Sequence, residues 1–339
     1  MPYNGIEIDM LALGDADSLL VTRWENNVPT HILIDGGRGH DTDKVRRFLA
    51  SREIDHIHEL VNSHFHDDHA EGLIGLVQDT TLTFDRAWVH RPERHVDMDA
   101  VKRALGMTAM LKESRLVTAS INTERELISA LNSRDIEIVE PFEGRDVDFL
   151  RVCGPSEAFY TELVQNFKDV DKLRRLEEER NDREQDAGLQ ETFGQVLGKT
   201  AAAKARPLLK NPRTDPENDS STILATIIDG KKFLFTADAG AKALSRAADY
   251  VDLTSPHWMQ MSHHGSIYNI TQSLISHFSP KTVYVSADGN AHRPHATVVE
   301  AYKATGASVF STHHPTNGHL RFHFGEVPAR HGYTSATSL

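Results

Sequence analysis

Short runs of alternating apolar and polar residues open the chain. Ile6-Glu7-Ile8-Asp9-Met10-Leu11 alternates, Asp17-Ser18-Leu19-Leu20-Val21-Thr22 follows it, and His31-Ile32-Leu33-Ile34 runs into Asp35-Gly36-Gly37. Period-two patterning bounded by Gly and Asp predicts three strands, the last ending in a glycine turn. A helix is expected from about Asp43 to Arg52, then a buried strand over Ile57-His58-Glu59-Leu60-Val61-Asn62 and a short helix over Glu71-Gly72-Leu73-Ile74-Gly75-Leu76-Val77. Arg86-Ala87-Trp88-Val89-His90 reads as a strand, and residues 98–114 and 123–133 have helical spacing. Further strands are expected near Ile136-Glu137-Ile138-Val139 and Val147-Asp148-Phe149-Leu150, with Phe149 to Cys153 leading into a turn at Gly154-Pro155.

The second half repeats the alternation of strand and helix. Phe159, Tyr160, Leu163, Val164 and Phe167 suit one face of an amphipathic helix. Ser221 to Ile228 and Lys232 to Thr236 flank Asp229-Gly230, a strong hairpin signal. Trp258-Met259-Gln260-Met261 and Thr282-Val283-Tyr284-Val285-Ser286 read as strands, Ala296 to Thr305 as a helix, and two last strands lie around Val309 and Leu320. No repeat of fixed period is present.

Length and composition narrow the class. At 339 residues with 39% hydrophobic content, about two domains or one large α/β domain is expected, and the strand–helix order is read here as one domain over 1–339. An insertion over 156–215 interrupts it: Lys172 to Asp186 is almost wholly charged, and Thr192 to Thr214 holds Lys199, Lys204, Arg206, Lys210 and Arg213 without an acid. That basic stretch reads either as a linker or as a rim that attracts an anionic substrate. Net charge is −12, which argues against a broad nucleic-acid footprint. No run is long enough to cross a bilayer, and the first residues show no signal peptide. Cys153, the only cysteine, is expected as a small buried residue, and a reducing cytoplasm is the expected location.

The chemistry concentrates in Ser63-His64-Phe65-His66-Asp67-Asp68-His69, between a predicted strand and a predicted helix. Residues i and i+2 of an extended strand end point the same way, so His64 and His66 can converge on one ion. Asp68 and His69, at the turn into the helix, can aim at a second. Imidazole nitrogen and carboxylate oxygen suit zinc, manganese or iron. Other acids and histidines lie at predicted strand ends: Asp238, His263-His264, and His292 to His295. Strand ends on one edge of an α/β sandwich gather into one crevice. Asp35 caps its turn or supports a ligand histidine. His90 and His95 read as surface histidines.

Together these stretches resemble the metallo-β-lactamase fold hydrolases, over nearly the whole chain apart from the insertion. Gly14-Asp15-Ala16-Asp17-Ser18, Ile34-Asp35-Gly36-Gly37, Asn218-Asp219-Ser220-Ser221, Phe235-Thr236-Ala237-Asp238 and His263-His264-Gly265-Ser266 look most like the hydrolase domain of the DNA-uptake competence channel protein, here without its membrane segments. The resemblance implies a four-layer αββα sandwich and two divalent ions, zinc or manganese. It implies that His64 and His66 bind one ion, Asp68 and His69 the other, and that Asp238 bridges them. His263 is implied as a further ligand or proton donor, and His264 as its supporting or acid partner. His295 rather than His292 is carried over as the last ligand, although Arg293-Pro294-His295 departs from the family's His-Pro pattern. Asn218-Asp219 stands where many members have a histidine ligand, which tilts the metal preference towards manganese.

Such a pair of ions implies an activated hydroxide and hydrolysis, with Asp68, His263 and His264 at the reacting centre. A phosphodiesterase acting on nucleotides or nucleic acid is the first expectation. A thioester, lactone or lactam hydrolase is the second. A non-catalytic, metal-stabilised module is the third, with protein partners in a multi-component system. Metal analysis followed by a panel of phosphodiester and acyl substrates separates the three.

Overall fold

The computed structural model describes residues 1–95, 123–164, 166–167, 208–290, 292–330 and 335–339. Among these residues fourteen strands follow in order. The first six are β1 (Asn4–Met10), β2 (Leu19–Glu25), β3 (Val28–Ile34), β4 (His56–Val61), β5 (Thr83–Trp88) and β6 (Glu137–Val139). Then come β7 (Asp146–Val147), β8 (Leu150–Gly154), β9 (Ile223–Ile228), β10 (Lys231–Phe235), β11 (Trp258–Gln260), β12 (Thr282–Val285), β13 (Ser308–Ser311) and β14 (Leu320–Glu326). They build two seven-stranded sheets, ordered β14-β1-β2-β3-β4-β5-β6 and β13-β12-β11-β10-β9-β8-β7. In each sheet one half is antiparallel, and β3 to β6 and β10 to β13 run parallel. The parallel halves matter for function, because they bring several carboxyl-terminal strand ends to one edge.

Alternation decides which face each residue takes. Ile6, Ile8 and Met10 of β1 point inward with Leu224, Phe233, Phe235 and Trp258 of the facing sheet, forming the inter-sheet core. The opposite face of the first sheet, Leu20, Leu33, Leu60 and Ala87, is covered by Val45, Phe48 and Leu49 of α1 (Thr42–Ser51) and Leu73, Leu76 and Val77 of α2 (Asp67–Gln78). Leu234, Met259, Val283 and Val309 of the second sheet pack outward on helices Ala241–Tyr250, Gln272–Phe278 and Ala296–Lys303. The layers therefore run α, β, β, α, the sandwich expected above. Burying each of these large side chains contributes about 1.5–3 kcal/mol.

One strand expectation fails. Val147-Asp148-Phe149-Leu150 is not one strand: Val147 ends β7, Leu150 opposite it opens β8, and Asp148-Phe149 turn between them, with Asp148 at φ +50°. The hairpin at Asp229-Gly230 forms as expected, both residues at positive φ, with Lys231 opposite Ile228. The helix Glu157–Val164 buries Phe159, Tyr160, Leu163 and Val164. The charged run Lys172–Asp186 and residues 192–207 of the basic stretch lie outside the described residues, as does the expected helix over 98–114. Among the described residues no helix is long and apolar enough to cross a membrane.

Candidate metal centre

The cluster forms where five parallel strands end. After β4 the chain turns through Ser63 and His64 into α2, whose first turn holds Asp67, Asp68 and His69. Helix α2 lies very close to the turn after β3: a Cβ on Gly72 would sit 1.9 Å from the Gly36 carbonyl oxygen, so only glycine fits there. From the other sheet, β10 delivers Asp238, β11 delivers His263 and His264, and β12 delivers Ser286. Asp35, Ala237, His263 and His264 all take positive φ, at 60°, 43°, 49° and 52°. Strain of this kind persists only where packing over-determines it, and it gathers at functional sites.

Asp238 is the centre. His69 Nε2 lies 3.4 Å from its Oδ2, His263 Nε2 3.6 Å and His64 Nε2 3.9 Å, while His264 Nε2 is 3.9 Å from Oδ1. His66 Nδ1 approaches His64 Nε2 at 3.1 Å, and Asp68 Oδ2 stands 3.7 Å from His264 Nε2. Two overlapping donor groups result: His64, His66 and Asp238, and a fully buried set of Asp17, His69, Asp238 and His264.

Three of these imidazoles share a tautomer. His69 Nδ1–H donates to Asp35 Oδ2 at 2.8 Å, His264 Nδ1–H to the Ser286 carbonyl at 3.0 Å, and His263 Nδ1–H to Asn269 Oδ1 at 2.9 Å. Each ring thus turns its Nε2 edge towards Asp238, with His263 Nε2 also meeting Arg293, the kind of support that orients histidine ligands. Asp35 also accepts from Ser63, through its N–H at 2.8 Å and its hydroxyl at 2.6 Å, so it supports the ligand loop. Gln260 ties the halves together: its Oε1 accepts from Thr236 and Ala237 N–H, just before Asp238, and its Nε2 donates to Asp17 Oδ2 at 2.9 Å.

Charge and burial oppose each other here. Burial would lower His264, but the Asp17 and Asp238 carboxylates push it up to about 9. Burial would lower His69 too, yet Asp238 and Asp35 hold it well above the ordinary range. Burial with His69 and His66 beside it drives His64 well below. Burial raises Asp17, whereas His264 and His69 overcome burial to hold Asp68 well below the usual carboxylate range. The pocket thus draws positive charge to its centre. His69 Nε2, His264 Nε2 and Asp238 Oδ1 are buried without a hydrogen-bond partner, and donor atoms of these three residues and Asp17 lie within 4.8 Å of one another. Unpaired buried polar atoms are costly, and a divalent cation with nitrogen and oxygen ligands would satisfy them. The donor set fits a metal centre.

The structure brings His64, His66, Asp68, His69, Asp238 and His263 into one cluster. His264, expected as a supporting or acid partner at the reacting centre rather than as a ligand, sets its Nε2 beside Asp238 and Asp68 and joins the buried donor set. Asp17, with no assigned role, joins the buried donor set; its place before β2 gives no periodic sign of this. His295 stands outside both groups: its Nδ1 accepts from Thr297 N–H at 3.2 Å and caps the helix Ala296–Lys303. His292 is exposed. Neither Asn218 nor Asp219 belongs to a donor group. Asn218 Nδ2 lies 3.2 Å from His263 Nδ1, and Asp219 faces Gly240 and Ala243 at a helix start, where burial pushes it up to about 7. His90 and His95 are not surface residues. His90 is buried and stacks on Tyr160 with ring centroids 4.3 Å apart, and the His95 side chain is 8% exposed and bonds Glu140 at 2.9 Å.

No protein-family model matches the sequence, and no curated protein matches it. Among solved structures, the metallo-β-lactamase fold protein YhfI from Bacillus subtilis aligns over 95% of this chain and 100% of its own, with a TM-score of 0.45 and 8% identity. A metallo-β-lactamase candidate from Thermotoga maritima aligns over 52% of this chain and 92% of its own, with a TM-score of 0.28 and 14% identity. Both likenesses are remote, and the donor geometry stands independently of them.

Proposed function

We propose that the chain is a metal-dependent hydrolase acting on phosphodiesters of nucleotides or nucleic acid, through a centre built on Asp238. The grouping of donor atoms from Asp17, His69, Asp238 and His264 within 4.8 Å, with His69 Nε2, His264 Nε2 and Asp238 Oδ1 buried and unpartnered, carries this reading. A pair of divalent ions held there would supply an activated water and stabilise charge on the attacked centre. His64, His66 and Asp238 would hold one ion; His69, His264, Asp238 and Asp68 the other. Asp35 and Ser286 fix the ring orientations, and the buried walls exclude bulk water, which strengthens each charge interaction inside.

Oxygen-rich donors support the phosphodiester side of the reading. Asp17, Asp68 and Asp238 put three carboxylates within the cluster, a set that suits manganese as well as zinc. Metal ions held by these residues would supply positive charge where a phosphoryl displacement develops negative charge. The stretches resembling the competence hydrolase point the same way. Elemental analysis of the purified protein, followed by assays on a bis-aryl phosphodiester, a cyclic dinucleotide, a thioester and a lactam, tests it. Phosphodiester turnover that vanishes in Asp238→Ala is the expected result. Turnover of acyl substrates alone would overturn it, and bound ions without any turnover would leave a metal-stabilised module.

A further inference from the structure

Two guanidinium groups touch the donor cluster. Arg293 Nη2 donates to His263 Nε2 at 2.7 Å, and Arg38 Nη2 donates to Asp68 Oδ2 at 3.4 Å. The two contacts reach the cluster through different side chains: His263 lies beside Asp238 Oδ2, and Asp68 lies beside His264, the ring next to Oδ1. Two cationic side chains therefore meet the cluster at different members.

Both arginines sit on braced backbone. Arg38 N–H donates to Asp41 Oδ2 at 3.1 Å, and its Nη2 also donates to the Asp15 carbonyl at 3.2 Å. The Asp15 carboxylate in turn accepts from Asp288 N–H at 3.1 Å and Asn290 Nδ2 at 3.2 Å. Asn290 Oδ1 then accepts the N–H groups of His292 and Arg293, at 2.8 Å and 3.0 Å. A single residue of the β1–β2 connection, Asp15, thus holds the Arg38 side chain and the turn that presents Arg293. Among the described residues the polar contacts of each guanidinium use only Nη2, out of five N–H donors. The Arg38 side chain is 41% exposed, so it reaches the mouth of the crevice.

An uncharged ester gains little from a guanidinium beside such a centre. Phosphate oxygens gain much, because the planar fork of arginine matches them with two parallel bonds. We propose that Arg38 and Arg293 form an anion clamp that selects a substrate bearing phosphate charge and holds the oxygens that the metal ligands leave exposed. This builds on the phosphodiester reading above and names the residues that separate phosphoryl from neutral acyl substrates.

Calorimetric titration of the manganese-loaded protein with adenosine 5′-monophosphate, with adenosine as the uncharged control, tests the clamp. Wild type is compared with Arg38→Met and Arg293→Met, and bound manganese is measured on the same samples. Each Met variant should bind the nucleotide about tenfold more weakly, the scale of one hydrogen bond to a charged group, while adenosine binding stays level. Arg38→Lys and Arg293→Lys, which keep the charge but not the fork, should recover part of the loss, and they serve as the comparison where a Met variant holds less metal. Unchanged nucleotide affinity in both Met variants would overturn the clamp. So would an equal loss for nucleotide and adenosine, since the arginines would then shape the pocket rather than read charge. Arginine-dependent nucleotide binding without turnover of any phosphodiester would sink the phosphodiester reading and leave the clamp in place. Phosphodiester turnover with arginine-indifferent binding would do the reverse.

Discussion

Two groups of buried histidines lie at the ends of neighbouring strands, and they behave in opposite ways. Around Asp238, carboxylates face the rings and lift His264 to about 9. Beyond β5, His90 is packed between Tyr160 and Phe142, with its Nε2 3.2 Å from the Thr222 hydroxyl. There burial, with His95 and the Arg145 guanidinium nearby, pulls it down to about 3. Both rings are fully inside the protein. Burial of a histidine therefore says nothing about its charge; the groups that face it decide whether the site invites a cation or repels one.

Removing the shared carboxylate should break this contrast most severely. Asp238→Ala takes away the one residue common to both donor groups, so bound metal should fall to background by elemental analysis and turnover by about a thousandfold or more. Retention of stoichiometric metal would show that the two groups are not one centre. Asp35→Ala leaves the donors in place but frees His69 Nδ1 and Ser63, and should weaken metal binding by about 10–100-fold in a competition titration with a chelator.

His90 provides the opposite test. Its folded pKa lies below its unfolded one, so its contribution is intact above the ordinary value of 6.5 and is lost as pH falls towards about 3. Urea unfolding should show the wild type losing about 2 kcal/mol from this residue between neutral pH and about pH 5, with His90→Phe spared that part of the loss. An identical pH slope in the two proteins would contradict the assignment. The smallest effect belongs to His295. His295→Ala should cost about 1 kcal/mol as a lost helix cap and leave metal content unchanged.

Much of this was readable in advance, for identifiable reasons. H-x-H-x-D-H is local, so strand and helix geometry alone place its side chains. Asp238 and His263 follow strong strand patterns, and parallel neighbours bring such ends together. Asp17 and Gln260 left no comparable trace, because their roles depend on contacts across the two sheets. Adjacent residues on a strand point apart, so strand geometry alone would send His263 and His264 to opposite sides. Here both His263 and His264 adopt left-handed backbone, and both rings reach the centre. His90 looked like a surface residue because the aromatic that covers it, Tyr160, comes much later in the chain.

The pairing of β14 with β1, which sets Phe324 beside Ile6, carries a cost during synthesis. A growing polypeptide emerging from the ribosome presents Ile6, Ile8 and Met10 on a strand with one neighbour missing until residues 320–326 appear. Exposed strand edges of that kind recruit other chains, and contacts so distant in sequence form slowly. Chaperone binding during translation should therefore concentrate on the first strand and end when the last one is released.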